Sequence, residues 1–300
     1  MPAIILVFML RIGVDTGGTF TDFVWVEKGR RRTLKVPSTP DDPARAVREG
    51  LARLAGLKVA REVRLPPGSA VVHGSTVATN ALLEGKVARV ALITNTGFED
   101  ILAIGRQNRP DLYHAAVFPP EPLVPARRRL GIPGRLGPDG EEWAPLDAAA
   151  VTEVVRQATA SGINRFAVCL LHAYANPAHE EEVGRLIEKE GAEATLSSRI
   201  LPEYREYERT STTVVNAVLA PVMSGYLERL EASLPATRLS VFRSNGGILS
   251  ARAAGREAVQ TLLSGPAAGV LGAWTWGRHC GLKSLITFDM GGTSTDVSLV

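Results

Sequence analysis

A twelve-residue segment occurs twice in the 300-residue chain. Residues 15–26 read DTGGTFTDFVWV and residues 289–300 read DMGGTSTDVSLV, and an ungapped alignment of the two gives seven identical positions. An apolar, strand-like run precedes each copy, LRIGV at 10–14 and SLITF at 284–288. A strand, an Asp-x-Gly-Gly-Thr turn and a second strand predict a β-hairpin, so the chain is expected to contain two hairpins of one kind.

The residue types in the repeat suit a phosphate group. Glycine permits positive φ and lets backbone N–H groups approach an anion, while threonine adds a hydroxyl donor. Carboxylate oxygens are ligands that Mg²⁺ prefers, so Asp15 and Asp289 are the expected catalytic and metal-holding residues. The expected phosphate-binding residues are Gly17, Gly18, Thr19, Thr21, Gly291, Gly292, Thr293 and Ser294. We therefore expect the two hairpins to hold one nucleotide from opposite sides.

Two ordinary glycine-rich turns are the alternative, because Gly-Gly is a favoured turn dipeptide. The agreement between two copies favours the nucleotide. The second aspartates, Asp22 and Asp296, lie seven residues after the first. An odd offset along an extended strand predicts that they lie on the opposite face, where either a bracing role or a catalytic role is open.

Other phosphate-binding and hydrolytic motifs are absent from the sequence. It contains no Walker pattern, no Gly-x-Gly-x-x-Gly fingerprint, no His-Glu-x-x-His and no Gly-x-Ser-x-Gly. A net charge of only +3, without a basic patch interleaved with aromatic residues, argues against nucleic acid as a partner. Phosphate binding must therefore rest on the two hairpins.

The cysteines and the N-terminus bear on where the chain resides. Cys169, in an apolar run, and Cys280 have neither a disulfide framework nor metal-ligand spacing, which predicts a reducing cytoplasm. The apolar N-terminus MPAIILVFML is too short to span a bilayer and lacks the features of a signal peptide, so no membrane association is expected. We expect Met9 to be the true start and residues 1–9 to lie outside the fold.

Hydrophobic periodicity predicts an α/β fold. The predicted strands are 10–15, 20–27, 31–38, 70–74, 89–95, 165–171, 193–197, 238–243 and 284–288. The predicted helices are 44–56, 147–160, 177–190, 203–217, 219–234 and a small-residue helix at 264–278. Residues 105–146, rich in Arg, Pro and Gly, are expected to form either a long, ordered excursion or a mobile loop, and loops of this length are often functional.

Three residues are tentative substrate contacts. His73 stands at a predicted strand end beside polar residues, where a buried structural histidine is the favoured alternative. Arg106 and Asn108 lie in the loop GRQNRP, whose side chains suit an acidic or amide substrate, although an arginine pair on a loop is more often solvated. The charged run EYREYER at 203–209 is expected to form a solvent-facing helix start.

The chain resembles a known family in several segments that follow one another in order. These are RIGVDTGGTFTDFVWVE, HGSTVATNALLEGKVARVALITNTGFEDILAIGRQNRPDLY, EYREYERTSTTVVNA, SNGGILS, LLSGPAAGV and FDMGGTSTDVSL. Together they are similar to the hydantoinase A/5-oxoprolinase family, which includes N-methylhydantoinase A and the acetone and acetophenone carboxylase subunits. The resemblance covers about residues 10–300 and corresponds to the N-terminal portion of the family.

The resemblance implies an actin-like ATPase (ribonuclease H-like) fold, with a first lobe and the first hairpin of a second lobe. The implied divisions are an extension (1–9), an N-terminal domain with the first phosphate hairpin (10–190), the rest of the first lobe with a connecting helix (191–281), and the second phosphate hairpin (282–300). The adenosine-binding motif of this fold lies downstream of the second hairpin. The resemblance therefore predicts that the nucleotide pocket is only half built within these residues.

The resemblance also implies the chemistry. Family members use ATP and Mg²⁺ to phosphorylate the oxygen of a stable amide, lactam or ketone, and in ring-opening members water then cleaves the C–N bond, often in a partner B subunit. The expected function is thus an ATP-dependent amidohydrolase subunit acting on a hydantoin- or 5-oxoproline-type ring, in an oligomer with a hydantoinase B-like subunit. The alternatives are a subunit of an acetone- or acetophenone-type carboxylase and a non-catalytic nucleotide-binding module.

Overall fold

The computed structural model describes residues 9–58, 61–108, 113, 121–290 and 295–300. Its strands are β1 (Arg11–Thr16), β2 (Phe20–Glu27), β3 (Arg30–Pro37), β4 (Ala70–Ser75), β5 (Ala91–Asn95), β6 (Arg129–Ile132), β7 (Arg135–Leu136), β8 (Glu142–Ala144), β9 (Arg165–Val168), β10 (Glu193–Leu196), β11 (Arg238–Phe242), β12 (Ile248–Ser250), β13 (Ile286–Met290) and β14 (Thr295–Leu299). Its α-helices are α1 (Pro43–Leu54), α2 (Val77–Leu83), α3 (Ile101–Ile104), α4 (Ala148–Ala160), α5 (Ala178–Lys189), α6 (Ser197–Ile200), α7 (Glu206–Ala232), α8 (Ala251–Arg256) and α9 (Ser264–His279).

The chain forms two compact units. Unit 1 comprises residues 1–86 and 220–300, and unit 2 comprises residues 87–219. The sequence-based divisions at 10–190, 191–281 and 282–300 stay a prediction, since spatial units and implied family domains are different quantities. The predicted extension falls almost wholly on residues 1–8, which lie outside the described residues.

Unit 1 is built on a six-stranded sheet with the order β12-β11-β4-β1-β2-β3. Strands β1, β2 and β3 form an antiparallel meander, while β4 pairs parallel to β1 and β11 pairs parallel to β4. Alternation sets the faces: Ile12, Val14 and Thr16 are buried, and Arg11 and Asp15 are exposed. A meander extended by two parallel strands agrees with the predicted ribonuclease H-like, actin-like ATPase class.

The second hairpin, β13 and β14, also belongs to unit 1. Within it Ile286, Phe288 and Val297 are all exposed. The hairpin is therefore held together by the backbone pairing of β13 with β14, since these apolar side chains do not form a buried core.

Unit 2 is built on a parallel sheet with the order β10-β9-β5-β6. Its core packs the buried strand residues Ile93 and Phe166 against Val151 and Val155 of α4 and Ile187 of α5. Helix α4 begins at an aspartate cap, because the Asp147 carboxylate accepts the N–H groups of Ala149 and Ala150 at 3.0 Å. The predicted alternation after residue 146 is confirmed here.

Two predicted segments differ in detail from the structure. In the segment 105–146 the described residues include β6, which pairs with β5, and the β7–β8 hairpin, so they agree with the ordered excursion and not with a mobile loop. The helices expected at 203–217 and 219–234 are one continuous helix, α7, with Pro221 inside it. Proline removes one backbone hydrogen bond, but buried side chains on both sides, such as Leu219 and Met223, keep the helix continuous.

Candidate functional site

The first hairpin places its two aspartates on the same face. Asp15 of β1 and Asp22 of β2 are direct register partners, and both are exposed. Directly paired residues of antiparallel strands project to one side of the sheet. The predicted opposite faces were wrong, because an offset of seven residues was counted through a turn that reverses the strand.

The second hairpin has the same register. Asp289 pairs with Asp296 as Asp15 pairs with Asp22, and Met290 pairs with Thr295 as Thr16 pairs with Thr21. The predicted phosphate-binding residues Gly291, Gly292, Thr293 and Ser294 lie outside the described residues. The sequence duplication is thus a structural duplication wherever both copies are described.

The carboxylates of the two hairpins interact electrostatically. Although the residue Asp15 is exposed overall, its carboxylate lies against packed protein, and the resulting desolvation raises its pKa; the negative charges of Asp22 and then Asp289 raise it further. Mutual repulsion of this kind is relieved by a cation. Among the described residues no cluster of three or more His, Cys, Asp or Glu side chains offers a complete metal cage. A metal at Asp15 would therefore need further oxygen ligands, and Mg²⁺ commonly takes these from phosphates and water.

Two glycines keep the space around the Asp15 carboxylate free. A Cβ atom at Gly74, in β4, would lie 3.0 Å from Asp15 Oδ1, and one at Gly265, in the first turn of α9, would lie 3.3 Å from the same oxygen. The N-terminus of α9 therefore lies next to this carboxylate, where the positive end of the helix dipole favours a negative charge. Three segments distant in sequence converge on a single oxygen atom.

The loop between β1 and β2 uses some of its predicted phosphate donors internally. The N–H of Gly17 donates to the carbonyl oxygen of Phe20 at 3.0 Å. Thr21 is fully buried and its hydroxyl lies 3.0 Å from the Ser38 hydroxyl. The prediction that Thr21 contacts phosphate was wrong, because the strand alternation turns its side chain to the core. Gly18 and Thr19 are at the exposed end of the loop, where phosphate binding stays a prediction.

His73 lies inside unit 1 as a fully buried side chain. Its Nδ1 is 3.4 Å from the Val14 carbonyl oxygen and its Nε2 is 2.6 Å from the Tyr226 hydroxyl. A carbonyl only accepts, so Nδ1 is assigned the proton and the Tyr226 hydroxyl donates to Nε2. Burial lowers the pKa of His73 to about 4, which keeps the ring neutral. The favoured buried alternative is the observed one, and this burial leaves no room for the tentative substrate contact.

Arg106 and Asn108 both lie exposed in unit 2. Arg106 Nε donates to Glu208 Oε1 at 2.6 Å, and the guanidinium lies 5.8 Å from the centre of the Tyr207 ring. The neighbouring Arg109 and Pro110 lie outside the described residues. Substrate binding by Arg106 and Asn108 stays a prediction.

A buried ionic network in unit 2 was missed from the sequence. Arg209 is fully buried, donates to the Leu170 carbonyl oxygen at 2.8 Å and pairs with Glu206. Glu180, also fully buried, accepts the Leu170 N–H and the Ser197 hydroxyl, and burial raises its pKa. The surface face expected for residues 203–209 was therefore wrong at its last residue. An arginine directly before the apolar stretch of a helix was the available signal.

Sequence profiles of known families match most of the chain. The profile of the hydantoinase/oxoprolinase N-terminal region matches residues 11–191, and the hydantoinase/oxoprolinase profile matches residues 209–300. The chain belongs to the hydantoinase/oxoprolinase family. The family resemblance predicted from the sequence motifs is thereby confirmed.

Curated members of the hydantoinase/oxoprolinase family align with nearly all of this chain. The alpha subunit of caprolactamase from Pseudomonas jessenii is 36% identical over 96% of this chain and 43% of its own length. The 5-oxoprolinase 1 of Arabidopsis thaliana is 36% identical over 96% of this chain and 25% of its own length. The gamma subunit of acetophenone carboxylase from Aromatoleum aromaticum is 33% identical over 96% of this chain and 42% of its own length. The chain thus spans less than half the length of these relatives.

Two solved structures of the family share the fold. The ATP-dependent caprolactamase from Pseudomonas jessenii superposes with a TM-score of 0.83 at 36% identity, covering 96% of this chain and 43% of that one. The nucleotide-free structure of acetone carboxylase superposes with a TM-score of 0.82 at 28% identity, covering 97% of this chain and 44% of that one. The predicted actin-like ATPase fold class is confirmed.

Within the described part of the chain, no helix combines the length and the apolar character needed to cross a bilayer.

Proposed function

We propose that this chain provides the ATP-binding and phosphoryl-transfer residues of an ATP-dependent hydrolase of cyclic amides. The observation that carries the proposal is the shared register of the two hairpins, with Asp289 close enough to raise the pKa of Asp15. The similarity to enzymes named caprolactamase and 5-oxoprolinase supports a cyclic amide as the substrate.

The residues of the first hairpin would hold the nucleotide phosphates. Backbone N–H groups at Gly18 and Thr19, with the Thr19 hydroxyl, donate hydrogen bonds to phosphate oxygens. Asp15 and Asp289 are the carboxylates that would hold Mg²⁺, directly or through water. When bound, the metal ion neutralises phosphate charge and orients the transferred group. Gly74 and Gly265 leave the Asp15 carboxylate room to do this.

Phosphorylation overcomes the low reactivity of an amide. The lactam oxygen attacks the γ-phosphorus, the bond to the bridging oxygen breaks, and ADP leaves with that electron pair. Phosphorylation of the oxygen makes the ring carbon more electrophilic, so a first water adds to it. The C–N bond then breaks, the ring nitrogen leaves as an amine by taking up a proton, and the carbonyl carbon remains as an acyl phosphate. A second water hydrolyses the acyl phosphate, with phosphate as the leaving group. The net reaction converts the cyclic amide, ATP and two waters into the ring-opened amino acid, ADP and phosphate.

A carboxylase subunit is the second candidate. The similarity to acetophenone carboxylase and the shared fold with acetone carboxylase favour it, because the same hairpins would phosphorylate a ketone enol or bicarbonate. Both candidates act with other chains, since relatives are named as alpha and gamma subunits. We propose a hydantoinase B-like partner in an oligomer. A cytoplasmic location is consistent with Cys169 and Cys280 both being free thiols.

The test is substrate-dependent ADP release by the protein isolated with the chains that accompany it. With ATP and Mg²⁺, a cyclic amide such as 5-oxoproline, hydantoin or caprolactam should accelerate ADP release and yield the ring-opened product. Stimulation by acetone or acetophenone with bicarbonate, and by no lactam, would identify the carboxylase. Nucleotide binding without stimulation by any of these compounds would leave a non-catalytic module.

A further inference from the structure

We propose that Ser38, which lies outside the repeated motif, is a positioning residue that presets the first phosphate loop for anion binding. This inference rests on the proposed function. Ser38 follows β3, and three of its contacts go to the first hairpin. Its N–H donates to the Thr19 carbonyl oxygen at 2.9 Å, its hydroxyl donates to the Gly17 carbonyl oxygen at 2.8 Å, and that hydroxyl lies 3.0 Å from the Thr21 hydroxyl.

These contacts orient two peptide groups of the loop. The C=O and the N–H of a trans peptide unit point in opposite directions. Because the Gly17 carbonyl faces Ser38, the N–H of Gly18 points away from Ser38. Because the Thr19 carbonyl faces Ser38, the N–H of Phe20 also points away. Of these two N–H groups, that of Gly18 is a proposed phosphate donor, so Ser38 fixes the direction of a donor at the exposed end of the loop.

The remaining groups around Ser38 keep this arrangement in place. The Gly17 N–H is already bonded to the Phe20 carbonyl oxygen, so it is not an anion donor in this conformation. Thr21 is fully buried, so its hydroxyl is shielded from solvent and lies within hydrogen-bond distance of the Ser38 hydroxyl. Gly17 and Gly18 are the residues at which the peptide planes would otherwise rotate most freely. Ser38 thus limits rotation at the flexible part of the loop.

Preorganised donors bind an anion more tightly because the loop loses less conformational freedom on binding. Without the Ser38 hydroxyl the Gly17–Gly18 peptide is free to turn its carbonyl toward the phosphate, where it repels. Removing the Ser38 hydroxyl is therefore expected to weaken the binding of phosphate-bearing ligands specifically. The structure of the rest of unit 1 should not change.

The variant Ser38→Ala tests the proposal, with Thr33→Ala as the matched control because Thr33 is an exposed hydroxyl residue of β3, the strand that directly precedes Ser38. The probes are Mg·ATP and inorganic tripolyphosphate, measured by calorimetry and by KM and kcat for ATP in the full assembly. Ser38→Ala should weaken both ligands about tenfold, raise KM more than it lowers kcat, and change the ligand-free melting temperature little. Ser38→Thr, which keeps the hydroxyl, should restore affinity, and Thr33→Ala should bind as the wild type does.

Each outcome bears on the proposal. If wild type and Thr33→Ala bind both probes and Ser38→Ala binds equally well, or if Ser38→Thr is as weak as Ser38→Ala, Ser38 does not position the loop. If Ser38→Ala fails to fold, Ser38→Cys, which has similar volume and a weaker donor, should bind with intermediate affinity, and wild-type affinity there would overturn the proposal. If the wild type binds neither probe, the proposed function fails and the role of Ser38 fails with it.

Discussion

Asp15 and Asp22 are register partners on neighbouring strands, and among the described residues Asp22 forms an ion pair with a cation of the same sheet whereas Asp15 does not. Lys35 is the register partner of Asp22 on β3, and its Nζ lies 3.2 Å from Asp22 Oδ1. One row of the sheet therefore reads Asp15, Asp22, Lys35. This arrangement favours a bracing role for Asp22. It leaves Asp15, whose pKa is raised by its neighbours, as the carboxylate that gains most from an added cation.

Replacing Asp15 with asparagine should raise the melting temperature at pH 7 in the absence of ligand. The pKa of Asp15 in the folded protein lies above its ordinary value of 3.8. Its contribution to stability is therefore present below pH 3.8 and is lost as the pH rises through the folded pKa, so the ionised group is unfavourable at pH 7. Asparagine removes the charge and with it the repulsion from Asp22 and Asp289.

The same variant should lose ATP turnover and most of the stabilisation that Mg·ATP confers on the wild type. Thermal melts with and without Mg·ATP provide the measurement. Asp22→Asn is the comparison: it relieves the repulsion between Asp15 and Asp22 but loses the ion pair with Lys35 and keeps the repulsion from Asp289, so its ligand-free melting temperature should rise less than that of Asp15→Asn. A lower melting temperature for Asp15→Asn than for the wild type would contradict the electrostatic argument.

Alanine at Gly265 should impair the site, while alanine at Gly269 of the same helix should not. A methyl group at Gly265 would lie 3.3 Å from Asp15 Oδ1 and displace that carboxylate by a few tenths of an ångström, whereas a Cβ at Gly269 would meet nothing within 4 Å. Gly269→Ala should raise the free energy of unfolding by up to about 1 kcal/mol, the usual helix preference. Urea unfolding and the Mg²⁺ dependence of ADP release distinguish the two. Equal turnover in both variants would show that the glycine contact does not matter for function.

The strands of the first meander could be predicted from the sequence to within about one residue, because alternation and a Gly-Gly turn mark them locally. The same alternation also indicates that Thr21 is buried. In β1, Val14 and Thr16 are buried and Asp15 is exposed, and the residues of β2 that pair with them lie on the same faces. What the sequence did not contain was the length of the turn. That length decides which residues pair, and therefore which face Asp22 occupies.

The contacts of Asp15 could not be predicted, because they join segments far apart in sequence. Gly74 and Gly265 are unremarkable locally, and only the tertiary structure brings both to one oxygen. Strand β6 was missed for a similar reason. The arginine-rich sequence at its start has a low strand propensity, and the strand is stabilised by pairing with β5, which is distant in sequence. Burial likewise keeps α7 continuous across Pro221.

Arg106 should matter for acidic substrates and not for neutral ones. A guanidinium binds a carboxylate through paired hydrogen bonds, which a neutral ring such as caprolactam does not offer. Arg106→Gln should therefore raise KM for 5-oxoproline and leave KM for caprolactam unchanged, whereas Asn108→Ala should raise both if it holds the amide. Arg205→Gln is the control, because Arg205 is another exposed arginine that packs on a neighbouring tyrosine ring. Unchanged KM values for every substrate would assign Arg106 to its ion pair with Glu208 alone.

His73 should make the stability of the protein fall between pH 6.5 and pH 4. Burial lowers the pKa of His73 from 6.5 to about 4 in the folded protein, so the unfolded chain binds the additional proton in this window. The contribution to stability is full above pH 6.5 and is lost as the pH falls toward 4, by about 3 kcal/mol in total. Urea unfolding at several pH values in this window, compared between the wild type and His73→Gln, isolates this residue from the carboxylates that also titrate. The wild type should show the steeper pH dependence, and equal slopes would refute the neutral buried histidine.

Tyr226→Phe extends this test because it removes the hydroxyl that donates to His73 Nε2 at 2.6 Å. The loss of a buried hydrogen bond should lower the free energy of unfolding at pH 7 by about 1–3 kcal/mol. The pH dependence should also become shallower, since the hydroxyl stabilises the neutral ring. A variant with reduced stability but an unchanged slope would show that burial alone, and not the Tyr226 hydrogen bond, keeps His73 neutral.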